Sequence, residues 1–499
     1  MVSLPENLQK SIKSLSNIYN THYYNDSEEF KIFEKFLEKN FHLVKDNHNK
    51  INNLEHFVKQ NDIYIKIYES QIPHEILSAK RKGYLYDINV HMSKSNIKKE
   101  NIHRQNITVD DYVYQKFPNI QVNIPRGLTL CKIMKEKDHV DKNDTIEFYD
   151  ICIYSNKKFK GISNQDEDND EDDYREDQQQ DNDDDNDYFI KNQIKDKVIA
   201  MEKINGDALH FSGRYINDKF YLFIGSKKSH IMINKESDID LYTNDRFNVC
   251  KKFAKQVWKI LYTKLTPEKR NILYDILHYT KITAICEILQ SNYQHIVLID
   301  NDNDLYEDKI IFLNFTLPFI NDNNNIESNG DILKSLTAFP PHIAIKIMNV
   351  LGFTCATYKI FDINDNISLE NIRLETNSEG KVLYYLNKEN ETIGMQKLKT
   401  IWYICLRALR EKAKRFLTLI DKNKSINIEN EIDKRYDEIQ KWLQLTNDKT
   451  LHWKKIAKQF IQWLIIYRNE NYTMASLNVA SSFPILWDTF SKSNDIKLI

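Results

Sequence analysis

The run Val198-Ile-Ala-Met-Glu-Lys-Ile-Asn-Gly-Asp207 decides how this chain is read. It opens as an apolar strand, and period-2 alternation carries Lys203 and Asn205 onto one face. Gly206 then permits a tight turn. A lysine at a strand end can act as a nucleophile once its ammonium loses a proton, which burial or neighbouring cations promote. Lys-x-Asn-Gly alone is a weak motif in a lysine-rich chain, and an exposed strand-end lysine is the plain alternative.

Glycine placement sharpens the reading. The chain has 499 residues and only 10 glycines, and five of these fall in short motifs around that run. They are Arg126-Gly127, Lys203-Ile-Asn-Gly206, Gly213, Gly225-Ser-Lys227 and Glu379-Gly380. So rare a residue is kept where backbone turns sharply or approaches a ligand. Between the last two lies Glu287, in a strand-like apolar run where an unpaired carboxylate is costly and a partner is demanded. Glu379, by contrast, follows a polar loop and reads equally as surface charge. Lys397 and Lys399 stand two apart, so one strand face presents both to phosphate oxygens; solvated lysines before a helix near Thr400 are the alternative.

In order and spacing these motifs resemble the covalent nucleotidyltransferase superfamily of ligases and capping enzymes. The likeness is greatest to the phage-type ATP-dependent RNA ligases and the adenylylating domain of fungal and plant tRNA ligases. Arg126-Gly127-Leu128 and Lys158-Phe159, within Tyr154–Gly161, look like that family's approach to its nucleotide. The resemblance covers roughly 119–410 and implies an α+β fold built on an antiparallel-sheet adenylylation domain. It implies ATP with Mg²⁺ or Mn²⁺, and RNA with 5′-phosphate and 3′-hydroxyl ends as substrate. Lys203 would attack the α-phosphate. Glu202, Asn205, Gly206, Arg126, Lys227, Glu287, Lys397 and Lys399 would hold the nucleotide, and Glu379 with Glu287 the metal.

Two departures matter. Many DNA ligases and capping enzymes carry Arg two residues after the motif glycine, where this chain has Ala208 and the nearest Arg is Arg214; that favours the RNA-ligase branch. Asn205 replaces the commoner Asp. DNA ligation, guanylyl capping and a non-catalytic RNA-binding role on a ligase fold remain the alternatives. Phe312 or Phe315 is either an adenine platform or core. Trp402 and Tyr403, followed by Arg407, Arg410 and Lys412, read either as an RNA cradle or as core with a solvated face.

Outward from this centre, residues 1–110 read as a helical region, with Asp26 capping a helix that carries Phe30, Phe33, Phe36 and Leu37. Residues 111–410 read as the α+β nucleotidyltransferase domain and 411–499 as a helical domain. Strands are expected at Gln121–Ile124, Val198–Met201, Lys219–Ile224, His230–Ile233, Thr283–Ile288, Ile296–Ile299, Ile310–Phe315 and Val382–Leu386. Helices are expected at Asp245–Leu265, His342–Leu351, Met395 to about Leu419, and Glu429–Tyr467, the last with Ile432, Ile439, Trp442 and Leu443 on one face. Asn321–Gly330 reads as a loop.

Charge is unevenly spread. Gln165–Asp187 holds 14 acidic residues and one Arg, a net −13; since the chain totals −2, the rest carries +11. Such a segment cannot bury enough apolar surface to order itself, so 163–188 is expected to be a disordered insertion. The basic remainder suits a polyanion, or simply a solvated surface. Six scattered cysteines form no Cys-x-x-C pair, so neither a disulfide framework nor a zinc site is suggested. The first residues lack a signal-peptide pattern and no apolar run is long enough to span a membrane. The expectation is an intracellular, cytoplasmic or nuclear monomer without a membrane partner.

Overall fold

The computed structural model describes residues 4–23, 27–44, 47–77, 80–99, 108–135, 144–159, 161, 194–290, 294–298, 308–318, 338–470, 479–494 and 496. Asp26, 163–188 and Asn321–Gly330 lie outside them. The architecture is mixed α/β with antiparallel sheets.

Three sheets organise the chain. The first has strand order β1-β2-β3-β4, from Ile65–Gln71, Arg81–Val90, Leu128–Lys135 and Thr145–Tyr154. The second runs β10-β9-β6-β7-β8, from β6 Asp207–Ile216, β7 Lys219–Gly225, β8 His230–Ile233, β9 Thr283–Leu289 and β10 Lys309–Thr316. The third runs β11-β5-β12-β13, from β5 Lys197–Glu202, β11 Tyr358–Asp362, β12 Gly380–Leu386 and β13 Thr392–Lys399. The β6–β7 hairpin turns on Asn217 and Asp218, both at positive φ (50° and 62°), as a two-residue turn matched to strand twist requires.

The second and third sheets share a core. On β5, Ile199 and Met201 enter it beside Val382, Tyr384 and Met395, while Val198 and Ala200 pack on the opposite side with Leu383 and Leu398. That alternation aims the next odd positions, Lys203 and Asn205, toward the second sheet. Helices α1 (Glu6–His22) and α2 (Ser27–Leu43) join the same core through Leu8, Leu15, Phe33 and Leu37. A separate helical core holds α3 (Ile401–Asp421), α4 (Ile428–Leu443), α5 (Asn447–Glu470) and α6 (Val479–Ser493). No helix among the described residues is long and apolar enough to cross a membrane.

Several expectations are corrected. The first 110 residues are not wholly helical: β1 and β2 lie there as a pair and β2 pairs in turn with β3, so the expected boundary cuts through a sheet. Gln121–Ile124 is no strand; Pro118 starts a helix, Pro118–Asn123, because its fixed φ and missing N–H suit a first turn. Ile296–Val297 is irregular backbone. Met395–Lys399 belongs to β13; the helix begins at Ile401, capped by the Thr400 hydroxyl accepting from Tyr403 N–H at 3.0 Å. The expected helix from Glu429 is two helices, broken where Gln444 turns left-handed. Trp442 is exposed, with the Arg435 guanidinium 5.0 Å above its ring.

Candidate active site

Lys203 leaves β5 into the gap between the second and third sheets, and its amide donates to the Gly380 carbonyl at 2.9 Å. Its ammonium contacts Glu379 Oε1. The other carboxylate oxygen, Oε2, accepts from Asn205 Nδ2 at 2.6 Å. Asn205 Oδ1 in turn accepts the Ile296 and Val297 amides at 2.9 and 3.2 Å. This double duty explains the departure at 205. An Asp side chain there has no donor for Glu379, and two carboxylates in contact repel.

Two glycines are sterically required. A Cβ on Gly206 would lie 2.6 Å from the Ile288 carbonyl, so β9 approaches the motif only because that position is bare. Gly380 has φ +128°, and its Cβ would sit 2.0 Å from the Leu398 carbonyl of β13. The Gly206 amide donates to Glu287 Oε2 at 3.0 Å, which brings the second carboxylate to the motif. Burial, with Glu379 adding to it, pushes the Glu287 carboxyl up to about 7 against the pull of Lys203, the Gly206 amide and Lys227.

Lys397 and Lys399 follow Met395 on the gap side of β13, and both are buried. The Lys397 ammonium lies 5.5 Å from the Phe159 ring centroid and that of Lys399 5.8 Å from Tyr403. Thus Lys203, Asn205, Gly206, Glu287, Glu379, Lys397 and Lys399 converge, with Lys227 at the rim. A hard cation taking one or two carboxylates and finishing its shell with phosphate and water would find Glu379 and Glu287 suited to it. No cluster of three or more His, Cys, Asp or Glu fit for a metal occurs among the described residues.

Two expected members stand elsewhere. Glu202 is turned to the far side of β5, where Ser378 Oγ donates to it at 2.7 Å and Lys381 contacts it. Arg126 is held by Asp111, which also takes Lys158. Arg214 cannot substitute for the motif arginine: it is fully buried, with Nε 3.0 Å from Asp150 and its remaining N–H groups on backbone carbonyls and Ser212. Phe312 and Phe315 are core. Trp402 and Tyr403 are buried in the helical core, Arg410 pairs with Glu411 and Lys412 with Glu431, which removes them from an open RNA cradle.

No protein family, curated protein or solved structure matches the chain.

Further participants went unread in the sequence. Ile296 is buried in the C-terminal helical core while its amide holds Asn205, so one short strap links that core to the site. His295, beside it, lies 3.9 Å from Asp207, and its carbonyl accepts from Arg410 at 3.5 Å. Burial, with Arg410 and Lys203 nearby, keeps its imidazole below the usual range despite Asp207 and Glu379. The one sequence signal was the apolar Ile-Val-Leu-Ile run, which reads as a strand.

Proposed function

We propose that the chain is an ATP-dependent RNA ligase acting through Lys203. The observation that supports this best is a lysine and two acidic side chains brought by three separate strand segments to one gap. Lys397 and Lys399 lie on its wall. A structural ion pair seldom has a second carboxylate and two further buried lysines around it.

The steps balance as follows. Lys203 must first lose a proton, and Glu379, in contact with it, is the nearest acceptor. The amine then attacks the α-phosphorus of ATP; an N–P bond forms and the P–O bond to pyrophosphate breaks. Lys397 and Lys399 offset charge developing on the leaving pyrophosphate. The 5′-phosphate of RNA next displaces the lysine and takes the AMP as a phosphoanhydride. Attack by the 3′-hydroxyl then closes the phosphodiester and releases AMP. A bound Mg²⁺ or Mn²⁺, held by Glu379 and Glu287, would supply Lewis-acid charge neutralisation. Within this reading the second and third sheets form the nucleotidyltransferase domain.

The test is incubation with ATP or GTP carrying label in the α-phosphate. Label from ATP retained through denaturation, and absent in Lys203→Ala, is the expected result. Label from GTP alone would point to capping, and no label from either to a non-catalytic protein. Joining nicked duplex DNA better than single-stranded RNA would favour DNA ligation.

A further inference from the structure

A cleft of about 470 Å³ lies between the first sheet and the β7–β8 turn, and it includes Lys227 at the rim of the candidate site. Its lining combines Tyr68 of β1, Tyr114, Arg126, Lys227, Lys228 and Arg246. The Asn89 side chain of β2 donates to the Lys228 carbonyl at 2.9 Å, so the two walls are tied together.

The cleft is lined chiefly by cations. Arg126 and Lys158 share one carboxylate, Asp111. Arg246 is 2.7 Å from Asp87, which also meets His230 at 3.1 Å. Asp110 lines the cleft as well, while Lys227 and Lys228 are exposed at its mouth. Of the described residues that line the cleft, four are Arg or Lys and one, Asp110, is a carboxylate, while Asp111 and Asp87 pair with Arg126 and Arg246. Aromatic rings are interleaved with the cations: Arg246 lies 5.6 Å from the half-buried Tyr68 ring and Arg126 5.7 Å from buried Tyr114.

We propose that this cleft binds the single-stranded RNA end that is to be joined, with a base on Tyr68 and phosphates on Lys228 and Arg246. Fixed cations with an aromatic face are what an unstacked polynucleotide needs. The volume takes about one or two nucleotides and no duplex. The turn that carries Lys227 follows Gly225, which pairs with His210 of β6, two residues from Ala208, the partner of Glu287; a strand in the cleft thus leads its end toward the candidate site. The proposal rests on the RNA-joining reading and adds a strand-binding surface on the N-terminal sheet.

The experiment uses full-length protein and a 5′-phosphorylated single-stranded oligoribonucleotide, its affinity measured by fluorescence anisotropy over a salt series. Tyr68→Ala combined with Lys228→Ala should raise Kd roughly tenfold, as loss of one stacked base and one phosphate contact predicts. The slope of log K against log salt should fall by about 0.7. Self-labelling from α-labelled ATP, which needs no RNA, should be unchanged. Lys228→Glu, at an exposed position that does not threaten folding, should weaken RNA binding further than Lys228→Ala. Unchanged RNA affinity in the double variant, or equal competition by duplex, would overturn the assignment. Absence of self-labelling in the wild type would instead overturn the ligase reading, with RNA affinity still deciding the cleft.

Discussion

Two buried charge clusters stand in neighbouring layers of this protein, and they are built on opposite plans. Around Asp150, one carboxylate meets two cations, Arg214 at 3.0 Å and Lys281 at 2.6 Å. Arg214 spends its other N–H groups on Ile151, Gly213 and Leu277 carbonyls and the Ser212 hydroxyl. Around Lys203 two carboxylates, Glu379 and Glu287, stand with Lys203, Lys397 and Lys399, and the Lys203 side chain stays 16% exposed, against 1% for Arg214. The first cluster has every group satisfied and no access. The second gathers carboxylates and lysines around a side chain that stays open to a ligand, which is the arrangement of a site that works.

The largest test of this contrast removes one cation from each cluster. Arg214→Met should leave Asp150 poorly compensated and cost about 3–5 kcal/mol, a large share of the stability of an ordinary domain. Lys203→Ala should leave the melting temperature within a few degrees, because Asn205 still holds Glu379. It should nonetheless eliminate the covalent AMP adduct, read by intact-protein mass spectrometry. A persistent adduct would refute the nucleophile, and a melt as damaged as that of Arg214→Met would make Lys203 structural.

A second test divides the open cluster by task. Supplied with pre-adenylylated RNA, Lys203→Ala should recover joining most fully, since its covalent role is bypassed. Lys399→Ala should recover in part, its charge being needed chiefly when pyrophosphate departs. Glu379→Ala should recover least, if that carboxylate serves every step. Recovery of Glu379→Ala with Lys203→Ala still inactive would break the assignment of roles, measured as ligated product on a denaturing gel.

How much of this was legible follows from the range of the forces. Strand alternation placed Lys203 and Asn205 together. The same alternation puts Glu202 on the reverse of β5, so only the family resemblance had drawn it toward the nucleotide. β2 was hidden because Asp87 interrupts its apolar pattern at an inward position. Its partners Thr129, His230 and Arg246 are distant in sequence. Ile296 looked like a strand because a side chain that enters a helical core and one that enters a sheet have the same composition. What holds Asn205 is tertiary contact, and periodicity carries no record of that.

The smallest effect is also the one with the clearest sign. Burial works to raise the Asp150 carboxyl, but Lys281 and Arg214 hold it below the usual range. A carboxylate with a depressed folded pKa contributes stability above its unfolded pKa of about 3.9 and loses it as pH falls through the folded value. The Glu287 carboxyl goes the other way, up to about 7. Between its unfolded value of about 4.3 and that figure the folded state binds the extra proton, so stability falls as pH rises. Melting curves of nucleotide-free protein in chelator should show this. Glu287→Gln should match the wild type near pH 5 and melt a few degrees higher near pH 8, where its neutral amide avoids burying a charge. Asp150→Asn should melt lower at both values, because its penalty does not depend on protonation above pH 5. A Glu287→Gln curve parallel to the wild type across that span would mean the carboxylate is already neutralised. The second cluster would then be as satisfied as the first, and the contrast between them would fail.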